Sequence, residues 1–167
     1  MRRFSALLCA IFSAFLLASP AGAVPDGPLD AYLEHVDVLE GEPLELAWPA
    51  RGTVTDGFGP RWGRMHLGID VGILADLDVT AATQGTVLET GYRDGYAGYG
   101  NIVSVDVGEG YTMLYAHLAA IDVRPGQWLD RGTRIGTAGC TGSCTGTHLH
   151  FELRHGGAPL DPAPYLR

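Results

Sequence analysis

Two histidines spaced two apart, His148 and His150, sit in the run Thr145-Gly-Thr-His-Leu-His-Phe-Glu-Leu153. In an extended strand, successive side chains point to opposite faces. His148, His150 and Glu152 then share one face, and Leu149, Phe151 and Leu153 the other. The apolar face can enter a core. The polar face holds two imidazoles side by side, an arrangement suited to zinc, for which neutral imidazole is a common ligand. Taken alone, the pair reads equally well as two surface histidines on a half-buried strand.

A second run, His66-Leu-Gly-Ile-Asp70-Val71, alternates in the same way. The pattern predicts a strand with His66, Gly68 and Asp70 on one face, and the glycine leaving that face open for an ion. Helical spacing would also bring His66 and Asp70 together, but Gly68 and the β-branched Ile69 and Val71 favour the strand. His66, Asp70 and one of His148 or His150 supply two imidazoles and a carboxylate. A catalytic zinc site typically has three protein ligands and an open fourth position. In Tyr111-Thr-Met-Leu-Tyr-Ala-His-Leu118, Met113, Tyr115 and His117 fall on one face. His117 is then free for proton handling, although a lone histidine there would read as a core residue. Glu152 either orients a ligand imidazole or faces solvent at a strand end. His35 and His155 read as surface residues.

The elements that must position these groups are short. From Glu45 onward, apolar or alternating runs such as Gly85–Glu89, Asn101–Val107, Tyr111–Leu118 and Arg134–Gly136 are separated by Gly, Pro, Asp and Asn. Many short strands with frequent turn signals predict an all-β, mostly antiparallel barrel or sandwich over residues 45–167. No helix-length periodic segment follows Gly41. Trp62, Tyr92, Tyr96 and Tyr99 stand in glycine-rich loops, where they either line a groove or pack the turns. Val123–Ile135 is similar to the half-motif of biotinyl and lipoyl domains. Those domains attach their cofactor through lysine and this chain has none, so the segment reads as a β-hairpin.

Residues 1–23 have the pattern of a secretory signal peptide: Met-Arg-Arg, an apolar run from Phe4 to Ala18, and Ala21-Gly-Ala23 as a cleavage site. The run is shorter than the roughly 20 residues that span a bilayer, so no stable membrane anchor is expected after cleavage. Residues 24–167 carry nine arginines against nineteen acidic residues, a net charge of −10. Nucleic acid, which is bound through Lys and Arg, is a poor partner for such a chain. Residues 24–44 form an acidic leader in which Leu29, Tyr32, Leu33, Val36 and Leu39 recur at helical spacing. The spacing predicts a short amphipathic helix. Cys9 leaves with the signal peptide. Cys140 and Cys144 remain, and outside the cell they are expected to pair and to stiffen the turn entering the closing strand.

His66-x3-Asp70, Tyr115-Ala-His117 and Thr145-Gly-x-His148-Leu-His150-Phe-Glu152, in that order, resemble the lysostaphin/LytM-type zinc metallopeptidases. The resemblance covers about Leu46 to Leu166. It implies a small, mostly antiparallel β domain with a groove over one zinc ion per chain. The ligands would be His66, Asp70 and His150, with His117 and His148 as catalytic histidines. It also implies peptidoglycan as substrate: a secreted endopeptidase of the periplasm or cell wall, expected as a monomer, cleaving peptide stems or cross-bridges. The Cys140/Cys144 pair departs from the family pattern. Some relatives on this fold have lost the zinc site and regulate other wall hydrolases, but here every ligand position is occupied. A wall carboxypeptidase of another family would end its site in Glu-x-x-His, not His-x-His.

Overall fold

The computed structural model describes residues 44–61 and 63–167. The expected signal peptide, Trp62 and, apart from Leu44, the segment read as an acidic leader lie outside the described residues. Among the described residues the fold is all-β, and every strand pairing is antiparallel. The one helical turn among the described residues is a 3-10 turn at Ala163–Tyr165.

The main sheet runs β1 (Thr53–Asp56), β4 (Ile69–Gly72), β12 (Leu149–His155), β8 (Tyr111–Ala116), β7 (Ile102–Gly108), β6 (Gly85–Gly91) and β10 (Trp128–Leu129), with β13 (Ala158–Leu160) also paired to β12. It is open: β1 and β10 stand at its edges, so the domain is a sandwich and not a closed barrel. A smaller sheet orders β5 (Asp78–Thr80), β11 (Arg134–Thr137) and β9 (Ala120–Ile121), and β2 (Gly59–Arg61) pairs with β3 (Arg64–His66). Val79 and Ile135 of the smaller sheet join Ile69, Val103, Tyr115 and Phe151 of the main sheet in one buried cluster. Each such large apolar side chain contributes about 1.5–3 kcal/mol on burial.

Tight hairpins set the register. β7 passes to β8 through Glu109-Gly110 at φ 49° and 77°, and β12 to β13 through Gly156-Gly157 at φ 57° and 86°. Two consecutive residues with positive φ match the right-handed twist of the flanking strands. The register then aligns Phe151 with Ile69 and Tyr115 on the core face, and His150 with Asp70 and Ala116 on the other.

Three expectations need correction. Val123–Ile135 is not a hairpin: β10 pairs with β6, while β11 pairs with β5 and β9. His66 and Asp70 are not on one strand: His66 ends β3, and β4 begins at Ile69. The site-ward faces nevertheless meet, because the chain turns at Leu67-Gly68. Nor does Gly68 leave space for an ion. A Cβ there would lie 2.2 Å from the Phe151 carbonyl oxygen and 2.8 Å from Glu152 Cγ, so the glycine is needed for close approach to β12.

Candidate metal centre and its histidines

His66, Asp70 and His150 converge on the outer face of the main sheet and could hold a metal ion, their ligand atoms lying within 4.8 Å of one another. Asp70 and His150 are direct partners across β4 and β12. His66 Nε2 is 3.2 Å from Asp70 Oδ1 and 3.0 Å from His150 Nδ1, and His150 Nδ1 is 2.8 Å from Asp70 Oδ1. His66 and His150 are buried.

The outer nitrogens decide what the inner ones can do. His66 Nδ1 donates to the Gly57 carbonyl at 2.7 Å, and His150 Nε2 donates to Glu152 Oε1 at 3.0 Å. With both outer nitrogens protonated, neutral imidazoles turn lone pairs inward at His66 Nε2 and His150 Nδ1. These face a carboxylate oxygen. Three lone pairs this close require something positive among them: a proton, or a cation in its place. Tetrahedral ligands at a zinc–nitrogen distance of about 2.0 Å stand roughly 3.3 Å apart, close to the spacing found here. The donor set therefore fits zinc. Burial pushes Asp70 up, but hydrogen bonds from His150 and His66, and their charge, outweigh it and hold the carboxyl well below its ordinary value. Burial likewise opposes charge on His150, but Asp70 and Glu152 hold its pKa above the ordinary value.

His117 and His148 flank this group. Their ring centroids are 4.7 Å apart, and His117 is 6.0 Å from His150. His148 Nε2 is 3.7 Å from Asp70 Oδ1. His148 Nδ1 donates to the Gly146 carbonyl at 2.7 Å, and His117 Nδ1 to the Thr141 carbonyl at 2.8 Å. Each ring is thereby left with its Nε2 free to accept or hand over a proton. His117 does not share a face with Met113 and Tyr115, as strand alternation predicts. Those two are buried in the core. β8 ends at Ala116, and His117 takes φ 62°, a left-handed conformation uncommon outside glycine. That one residue turns the ring from the core side to the site side. Burial holds the His117 pKa below its ordinary value.

Glu152 is fully buried, so it does not face solvent. Oε1 accepts from Tyr99 Oη at 2.6 Å as well as from His150. Oε2 accepts from Arg154 Nε and Nη2, each at 2.6 Å. Burial raises the Glu152 pKa, but His150, Arg154 and Tyr99 more than offset this and keep it ionised. Tyr99 packs against the cluster of Ile102, Leu114 and Ala116 and, beyond that packing, holds the Glu152 carboxylate. Its ring also stacks on His117, with centroids 6.4 Å apart and planes 15° apart. Tyr96 packs edge-on to Tyr99 and lies under Arg154, whereas Tyr92 is exposed. His155 ends β12 against Tyr111. Sequence reasoning missed Arg154, although it continues the alternation 148, 150, 152. It also missed the carbonyls of Gly57, Thr141 and Gly146, which leave no side-chain signal. Arg61 pairs with Asp56 and approaches Asp70 Oδ2 at 3.6 Å.

Cys140 and Cys144 are joined by a disulfide, with Cα atoms 5.4 Å apart. The loop they close is interlocked with Gly98–Asn101. Ser143 N donates to the Gly98 carbonyl at 2.7 Å and Asn101 N to Thr141 Oγ1 at 2.9 Å. A Cβ on Gly142 would strike Gly100 N at 2.4 Å.

The pattern of peptidase family M23 matches residues 64–162. Curated relatives include the lipoprotein NlpD/LppB homolog of Pseudomonas aeruginosa, 39% identical over 72% of this chain and 39% of its own length. The murein hydrolase activator NlpD of Escherichia coli is 34% identical over 71% of this chain and 30% of its own length. Among solved structures, the catalytic domain of the antimicrobial peptidase lysostaphin from Staphylococcus simulans aligns at TM-score 0.61 and 30% identity, over 68% of this chain and 91% of that one. A zinc-containing peptidase from Vibrio cholerae aligns at TM-score 0.60 and 32% identity, over 71% and 38%. The chain spans 39% and 30% of the length of these two curated relatives.

Proposed function

Since the chain belongs to peptidase family M23, we propose that it is an exported zinc endopeptidase that hydrolyses peptide stems or cross-bridges of bacterial peptidoglycan. The observation that carries this reading is the pairing of two sets of imidazoles. His66 and His150 turn inward lone pairs towards Asp70, while His117 and His148 stand beside them with Nε2 free.

His66 Nε2, Asp70 Oδ1 and His150 Nδ1 would hold the ion. When bound, zinc supplies a Lewis acid for the scissile carbonyl and lowers the pKa of its water towards about 7. The two flanking histidines move the protons. One accepts a proton at Nε2 from the attacking water and later returns it to the leaving amine. The other donates from a protonated Nε2 to the developing oxyanion. The carbonyls of Thr141 and Gly146 keep the proton on Nδ1 of both rings, so the neutral ring accepts at Nε2 and the ring that donates to the oxyanion does so as an imidazolium.

The test is zinc content of the purified chain, followed by incubation with purified peptidoglycan and mass identification of released fragments. About one zinc per chain with new peptide termini supports the endopeptidase and names its bond. Zinc without cleavage points to a different substrate or to a site covered by residues 24–44, whereas neither zinc nor cleavage moves the reading to the second one, a non-catalytic regulator of other wall hydrolases. The similarity to a murein hydrolase activator favours that second reading. The complete His66, Asp70, His150 set, with both flanking histidines, favours the first.

A further inference from the structure

Glu152 is an anion with no contact to water, and a buried charge is costly unless fully partnered. Here it is: two donors reach Oε1 and two reach Oε2. Such an arrangement is weak evidence for stability, since well-packed apolar residues often serve as well or better. Its position suggests another use. Glu152 lies two residues beyond His150 on the same face of β12, and His150 Nε2 is one of its four partners.

The two ligand imidazoles are backed differently. The outer nitrogen of His66 meets a neutral carbonyl, that of Gly57, whereas the outer nitrogen of His150 meets a carboxylate. An anion at Nε2 keeps the proton on that nitrogen and pushes electron density to Nδ1, the atom that faces Asp70 and His66. Tyr99 and Arg154 fix the carboxylate's orientation. Gly68, in the turn before β4, runs so close that a Cβ there would lie 2.8 Å from Glu152 Cγ.

We propose that Glu152, clamped by Tyr99 and Arg154, is a positioning residue that fixes the tautomer of His150 and strengthens its binding of a divalent metal through Nδ1. This rests on the metal site proposed above. Outer partners of this kind are typically worth 10–100-fold in metal affinity.

The experiment is a zinc titration of the purified full chain against a competing chelator, with far-UV circular dichroism as a check of folding. Glu152→Gln keeps the shape and removes the charge, and should weaken zinc about 10–100-fold. Tyr99→Phe removes one hydrogen bond to the carboxylate and should weaken zinc in the same direction by less. The double variant Glu152→Gln/Arg154→Met removes the stranded cation as well. If Glu152 only balanced Arg154, the double variant would regain zinc affinity; if it positions His150, affinity stays low. Restored affinity in the double variant would overturn the proposal, as would unchanged affinity in a folded Glu152→Gln. Should Glu152→Gln fail to fold, Tyr99→Phe and the double variant decide. An unaltered chain that binds no zinc would instead remove the metal site itself, a result distinct from any of these.

Discussion

The Nδ1–H of His117 points at the carbonyl oxygen of Thr141, 2.8 Å away, and Thr141 lies inside the loop closed by Cys140 and Cys144. A histidine proposed to move protons is thus steered by a backbone oxygen from a disulfide-closed loop. The same loop is locked to Gly98–Asn101, next to Tyr99, whose carbonyl accepts the His117 N–H at 2.9 Å.

Removing the disulfide tests this steering. A loop this short should contribute about 2 kcal/mol of unfolding free energy. Cys140→Ser/Cys144→Ser should lower the urea midpoint accordingly, keep zinc, and lose turnover out of proportion to the small stability change. Unchanged turnover on peptidoglycan would show that Gly98–Asn101 alone holds the Thr141 carbonyl in place.

His117→Ala should retain zinc and lose most turnover, whereas His150→Ala should abolish zinc binding. If His117→Ala emptied the site, the division into ligands and proton carriers would be wrong. The left-handed backbone adds a second readout. Because a Cβ is strained at φ 62°, His117→Gly should be about 1 kcal/mol more stable than His117→Ala, measurable by urea unfolding.

Burial keeps the folded-state pKa of His117 below its ordinary 6.5. Between the two values the unfolded chain binds a proton that the native chain does not. Stability therefore falls as pH drops through that window, and the loss stops below the folded value. His117→Gln should flatten this part of the stability–pH curve when compared with the unaltered chain from pH 7 to pH 5. An identical slope would mean that His117 titrates normally.

Gly68→Ala sets the Gly68 contacts against their absence. A Cβ would meet backbone at 2.2 Å, so β4 must shift away from β12. Overpacking of this kind typically costs 1–3 kcal/mol, and it separates Asp70 from His150. A lowered melting temperature together with weakened zinc binding is expected. A folded variant with normal zinc affinity would show that the two strands have slack.

Much of the site was legible because it lies on strands. The period of two in Thr145–Leu153 placed His150 and Glu152 together and Phe151 in the core, and the observed register follows it. Failures came where backbone departs from the strand. At His117, one left-handed residue reverses the face that alternation assigns. At Leu67-Gly68, a break between β3 and β4 replaces the expected continuous strand, yet the side chains still converge. For Glu152 the two readings, orienting a ligand imidazole or facing solvent, could not be separated locally, because its cover, the loop carrying Tyr96 and Tyr99, comes from distant sequence. Pairings between strands far apart in sequence, such as β10 with β6, depend on tertiary packing that local turn signals do not encode.

The place of β12 between β4 and β8 bears on how the molecule is made. Its neighbours on both sides are synthesised first, and until His150 emerges each has one unpaired edge facing the gap. The strand must insert between two partners far away in sequence, a non-local step of the kind that slows folding. A chain halted short of β12 has His66 and Asp70 but neither His150 nor Glu152, and so only part of the donor set. On the proposed function, metal capture and completion of the sheet become a single late event in biogenesis, and a nascent or truncated chain would have no half-formed hydrolase to restrain.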